Sequence, residues 1–135
     1  MGAPEWKDEY SVHIREIDAQ HKHLFAVVRE LHEAVEKNGG HDAISLVLGR
    51  LFEYVRFHFE TEEKYMTEHN FPGHLEHLVE HQEFLLKLVK MRKDFEDGGT
   101  DVAPSLLVYL ETWIEKHVQG TDQKLAPYFK DRGIS

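Results

Sequence analysis

Histidine is the commonest protein ligand for metals, and this chain has 11 histidines in 135 residues. Laid on helical periodicity, five of them and two acidic residues occupy slots in, or at the edge of, apolar stripes: His21, His58, Glu62, His77, His81, His117 and Asp122. Buried without partners, each polar group would cost roughly 1–3 kcal/mol, and the carboxylates more. A metal satisfies them together. Seven donors exceed the four of a structural zinc site, and imidazoles plus carboxylates without sulfur suit iron, manganese or zinc. Two carboxylates can each bridge two ions, which leaves the five histidines to divide three and two. One of two ions that seek six ligands is then a ligand short, and a small molecule can bind there. No Glu-x-x-His or His-Glu-x-x-His occurs, which disfavours ferritin-like di-iron oxidase chemistry and the zinc-protease pattern.

The stretch from Trp113 to Asp122 sets a geometric problem. His117 and Asp122 stand five residues apart, so on an ideal helix their side chains point about 140° apart. Either the helix widens locally around Gln119-Gly120-Thr121 as a π-bulge, or Asp122 reaches in from the edge of the seam at the bundle's end.

The elements that must position these donors follow from the same periodicity. Residues 1–16 form an irregular arm with Trp6, Tyr10, Val12 and Ile14 available for packing. Helices are expected at about 18–37, 42–68, 74–97 and 101–130, the first capped by Asp18 and the last starting near Asp101 or Pro104. Asn38-Gly39-Gly40, His69-Asn70-Phe71-Pro72-Gly73 and Gly98-Gly99 break them. The stripes are Ile17, His21, Leu24, Val28, Leu31, Val35; Ile44, Leu48, Leu51, Val55, His58, Glu62, Tyr65; and His77, His81, Phe84, Leu88, Met91, Phe95. The fourth runs Leu106, Leu110, Trp113, His117, then Lys124 or Leu125, and Tyr128. Four such helices with short connections give an all-α, up-down-up-down antiparallel four-helix bundle, with residues 1–135 as one domain. Alternating chain direction then brings all seven donors to the same end of the bundle.

Composition narrows the function further. A net charge of −9 argues against nucleic acid or an anionic membrane as the main partner. The absence of cysteine excludes disulfides, thiolate metal sites and cysteine nucleophiles. No apolar run reaches the roughly 20 residues of a membrane span, and no signal-peptide core stands at the N-terminus, so a cytoplasmic location is expected.

Taken in order, Ile17-Asp18-Ala19-Gln20-His21-Lys22-His23-Leu24-Phe25, His58-Phe59-Glu60-Thr61-Glu62-Glu63, His77-Leu78-Val79-Glu80-His81 and His117 through Asp122 resemble the hemerythrins. The arm, Trp6 to Val12, is similar to their prokaryotic, bacteriohemerythrin-like branch. The resemblance covers essentially the whole chain. It implies reversible O2 binding at a non-haem di-iron centre, two iron ions with an oxo or hydroxo bridge. His77, His81 and His117 would serve one iron and His21 and His58 the other, with Glu62 and Asp122 bridging. It further implies that O2 binds at the two-histidine iron and is held as hydroperoxide. An apolar pocket of Leu24, Phe59, Trp113, Ile114 and Val118 would slow autoxidation by excluding water.

Other polar residues lie close by. Glu60 and Glu63 flank Glu62, but only Glu62 stands four residues from His58 on one face. His74 sits three before His77. His23, His32, His41 and His69 read as solvated faces or helix ends, and His13 stands where the relatives tend to have glycine. Two roles share the O2 site: a carrier or store, and the sensing domain of a larger signalling protein with a fused or interacting output domain. Azide and NO are further candidate ligands. The alternative is a di-iron enzyme reducing peroxide, O2 or NO; the expected apolar lining offers no general acid or base for it.

Overall fold

The apolar stripes become helices that wind around a polar layer. The computed structural model describes residues 5–37, 40–98 and 103–135. The arm makes a short 3-10 turn, Asp8–Tyr10, and buries Tyr10, Val12 and Ile14. Helix α1 spans Arg15–Glu36, α2 Gly40–Glu68 and α3 His74–Gly98. The fourth helical stretch is composite: α4 is Ala103–Lys116, a π turn covers His117–Thr121, a 3-10 turn covers Asp122–Lys124, and α5 is Leu125–Asp131. Together they form a four-helix bundle in which α1 packs on α2, α2 on α3 and α1 on α4. Phe84 and Trp113 stack between α3 and α4 at 3.9 Å. No helix among the described residues is long and apolar enough to cross a membrane.

Three expectations need correction. Helix α1 starts at Arg15, after an extended Ile14, so Asp18 is not its N-cap. Asp18 lies in the first turn, and its carboxylate accepts hydrogen bonds from the Val12 N–H at 2.9 Å and from the Ser11 hydroxyl. An acceptor at that point can tie down either the helix or the chain before it, and here it fixes the arm. Helix α2 begins at Gly40 rather than Asp42, with Gly40 at φ +87°, a conformation suited to glycine. Asn38, Gly39, Gly99 and Asp101, expected at breaks and at a helix start, lie outside the described residues; Pro104 is the second residue of α4.

The third correction is the most informative. Beyond Val118 the buried positions are Asp122, Leu125 and Phe129, while Tyr128 is only half-buried and Lys124 is exposed. A regular helix continued from Leu110, Trp113 and His117 would bury positions near 121, 124 and 128. The π turn adds one residue and moves every later position by one.

The core is divided. A large cluster runs from Leu24 and Phe59 through Phe84, Leu110 and Val118, and a small one joins Val12, Ile14, Ile17, Met66, Leu125 and Phe129. Along α1, α2 and the fourth helical stretch, the buried polar residues fall between members of the two clusters.

Candidate metal centre

Each helix brings its donors in on a face fixed by its own phase. His58 and Glu62 stand one turn apart on α2, and His77 and His81 one turn apart on α3. His21 comes from α1, and His117 and Asp122 from the two ends of the π turn. The structure brings all seven expected residues together, each buried to within 4% exposure.

They form two groups. The donor atoms of Glu62, His77, His81, His117 and Asp122 lie within 4.8 Å of one another, and so do those of His21, His58, Glu62 and Asp122. The carboxylates belong to both. Glu62 Oε2 is 3.2 Å from the Nε2 atoms of His21 and His58, and Asp122 Oδ2 is 3.0 Å from His21 Nε2. Their other oxygens face the opposite way. Glu62 Oε1 lies 3.0 Å from His81 Nε2 and 3.3 Å from His77 Nε2; Asp122 Oδ1 lies 3.0 Å from His77 Nε2 and 3.1 Å from His117 Nε2.

Several features call for cations between these atoms. Both Asp122 oxygens and His58 Nε2 are fully buried without a hydrogen bond. The Nε2 atoms of His81 and His117 point at each other at 3.2 Å, an arrangement that suits two ligands sharing one ion. With neutral imidazoles the buried group would carry two uncompensated negative charges, a costly state. The donor set fits two metal ions, and Glu62 and Asp122 could each hold both.

The outer edges of the rings are held by residues that periodicity did not reveal as partners. His58 Nδ1 donates to Gln20 Oε1 at 2.7 Å, and the Gln20 amide donates to Thr61 Oγ1. His81 Nδ1 donates to Glu63 at 3.0 Å, and His117 Nδ1 to Glu80 at 3.2 Å. Thr121, inside the π turn, donates to the same Glu80 carboxylate at 2.8 Å. Such contacts fix a ligating histidine's tautomer and ring angle. Their signal in the sequence was adjacency: Gln20 precedes His21, Glu80 precedes His81, and Glu63 follows Glu62. The Nδ1 atoms of His21 and His77 have no partner among the described residues.

In the metal-free chain, protons substitute for cations. Burial would lower the His21 and His77 imidazoles, but the Asp122 and Glu62 carboxylates close to their Nε2 atoms outweigh it and raise both to about 9. His117 rises well above its ordinary value against burial for the same reason, while burial dominates at His58 and lowers it. Burial pushes the Glu62 and Asp122 carboxyls up, yet the surrounding histidine cations hold both well below the ordinary carboxylate range. The hydrogen bond from His117 lowers Glu80 to about 2.

Leu24, Phe59, Ile114 and Val118 are buried in the large core cluster, and Trp113 packs against it. Phe59 stacks on His81 at 3.7 Å and Trp113 on His117 at 4.4 Å. The remaining histidines stand apart from the donor groups. His13 and His23 are exposed, and His13 sits at φ +60°, the left-handed conformation that favours glycine. His32 is more buried than a solvated face implies: it bridges Glu111 and Glu36 at 2.8 Å each, tying α1 to α4. His41 stacks on Phe95, His69 packs edge-on to Phe129, and His74 opens α3.

Residues 12–129 match the hemerythrin HHE cation binding domain. The chain is 29% identical over 125 residues to a bacteriohemerythrin of Stenotrophomonas maltophilia, covering 93% of this chain and 80% of the relative. It is 26% identical over 119 residues to the myohemerythrin of Riftia pachyptila, covering 88% of each. A crystal structure of wild-type hemerythrin aligns with a TM-score of 0.81 at 25% identity, over 92% of this chain and 95% of that one.

Proposed function

The chain belongs to the hemerythrin family, whose chemistry is O2 binding at a di-iron site, and from that premise we propose which residues perform it here. His77, His81 and His117 hold one iron, His21 and His58 the other, and Glu62 and Asp122 are shared. The observation that supports this assignment is the division of each shared carboxylate, one oxygen toward the three-histidine group and the other toward the pair. When bound, a diferrous pair supplies two electrons to O2 and recovers them on release.

The protein's own part is to position and to exclude. Gln20, Glu63 and Glu80 hold three of the five rings at the angle that aims Nε2 inward. The pair formed by His21 and His58 contributes one imidazole fewer, and it is the side we assign to O2. Leu24, Phe59, Trp113, Ile114 and Val118 form the apolar wall in this reading, keeping water and protons away from the bound ligand. They carry no group that could act as a general acid or base, which supports a binding protein over an enzyme that reduces peroxide, O2 or NO. We read residues 1–135 as one domain that works as a carrier or store, or as the sensing part of a larger signalling protein; the full reading frame separates these roles.

Metal analysis after anaerobic reconstitution with ferrous iron tests the assignment. Two irons per chain are expected. One iron or none would overturn it, and sustained consumption of peroxide or NO beyond that of free iron would favour the enzyme.

A further inference from the structure

Helix α3 is apolar on two opposite faces. One faces the core through His77, His81, Phe84, Leu88 and Phe95. On the other, Leu75, Val79, Leu86 and Val89 are 71, 51, 72 and 49% exposed. With Gln82 between them these residues are spaced 4,3,4,3, the pattern of a seam that packs against another helix. They make up four of the seven large exposed hydrophobics among the described residues. Scattered surface hydrophobics are normal, but a continuous stripe along one helix marks a contact.

Charge on this face selects the partner and its direction. Between Leu75 and Lys93 the first half of this face is flanked by exposed Glu76 and Glu83, and the second half by exposed Lys90 and Lys93. A chain with a net charge of −9 repels its own copies over most of its surface, yet this stretch is not acidic overall. Its two halves are opposite in sign, so the face is complementary to itself when reversed.

We propose that two copies of the chain associate through this face, with their α3 helices antiparallel about a two-fold axis near Phe84. In that register Val79 meets Val89 of the partner subunit, Leu86 meets the partner's Gln82, and Glu76 lies beside the partner's Lys90. Parallel pairing would set glutamate beside glutamate and lysine beside lysine. Glu83, close to the axis, faces its own copy and is the one like-charge pair in the antiparallel arrangement. The seam from Leu75 to Lys93 is on the order of 27 Å long, at the small end of specific interfaces, so the association is reversible and concentration-dependent.

Sedimentation equilibrium of the iron-loaded chain up to millimolar concentration tests this. The expected result is a monomer–dimer equilibrium that Leu86→Glu weakens at least tenfold, with helicity and iron content unchanged, and that Glu83→Gln strengthens. Because the chain has no cysteine, single cysteine substitutions report direction. A mixture of Val79→Cys and Val89→Cys chains should form the mixed disulfide. Two copies of either variant alone would keep the substituted positions on the order of 15 Å apart. A monomer throughout the range, a dimer indifferent to Leu86→Glu, or a Val79→Cys homodisulfide that exceeds the mixed one would overturn the proposal.

Discussion

Helix α2 and the fourth helical stretch each deliver one histidine and one carboxylate to the same site, by different geometry. His58 and Glu62 stand four apart on an unbroken α-helix. His117 and Asp122 stand five apart, and the π turn between them brings the fifth residue back over the first. Both pairs end fully buried. The contrast shows what an inserted residue does beyond placing one ligand. On α2, Met66 follows Glu62 in the ordinary phase and reaches the small core cluster. On the fourth stretch, Leu125 and Phe129 reach that cluster only because the phase has moved by one residue.

Removing the extra residue should have the largest effect. Deletion of Gly120 returns the segment to α-helical phase and swings Asp122, Leu125 and Phe129 about 100° off the core. Losing two buried apolar side chains alone costs on the order of 3–5 kcal/mol each. The expected result is less than one iron per chain and a much lower unfolding temperature. Two irons retained would mean that Asp122 reaches the site without the π turn.

Glu80 pins both ends of the turn, through His117 Nδ1 and the Thr121 hydroxyl. Glu80→Ala should weaken iron binding by roughly 10–100-fold, measured by competition with a chelator, and Glu80→Gln should lose less because its carbonyl still accepts. An unchanged affinity for Glu80→Ala would reduce this residue to a surface contact.

The metal-free and iron-loaded chains should respond to pH in opposite directions. Without metal, His21 and His77 have folded values near 9 against 6.5 when unfolded. Their contribution to stability is complete below about pH 6.5 and is lost as pH rises through 9. With iron bound the same imidazoles are neutral ligands, and acid competes with the metal. Thermal unfolding of both forms from pH 6 to 9.5 should give a falling midpoint for the metal-free chain and none for the loaded one. A metal-free midpoint that rises with pH would contradict the charge assignment.

The smallest effect is expected at the same glycine. Gly120 lies inside the π turn, with nothing within 4 Å of where a Cβ would stand. Gly120→Ala should therefore keep two irons and gain up to about 1 kcal/mol in stability. Loss of iron there would show that the turn needs glycine's freedom, not merely an added residue.

How much of this was legible in the sequence depends on the kind of interaction. Apolar phase is written locally, so the bundle and the convergence of the seven donors could be read directly. The five-residue gap from His117 to Asp122 posed a π turn as one of two alternatives, the other being an Asp122 that reaches in from the seam's edge, and the structure has the π turn; its consequence for Tyr128 and Phe129 requires carrying the shifted phase forward. Asp18 shows a different limit: a carboxylate near a helix start signals a nearby N–H donor without saying which segment supplies it. The ring partners Gln20, Glu63 and Glu80 depend on how neighbouring helices rotate against each other, which no single helix's pattern records. The outward stripe on α3 carries the same 4,3,4,3 spacing as the inward one, and burial was needed to tell them apart.

We propose that these seven residues hold an iron pair that binds O2 reversibly. Optical spectra of the anaerobically reduced, iron-loaded protein, taken before air, after air and after removal of O2, test it most directly. A peroxo-to-iron charge-transfer band is expected to form in air and to disappear when O2 is withdrawn, over repeated cycles. A protein that is oxidised irreversibly on first contact with air, or that shows no such band with two irons bound, would contradict it.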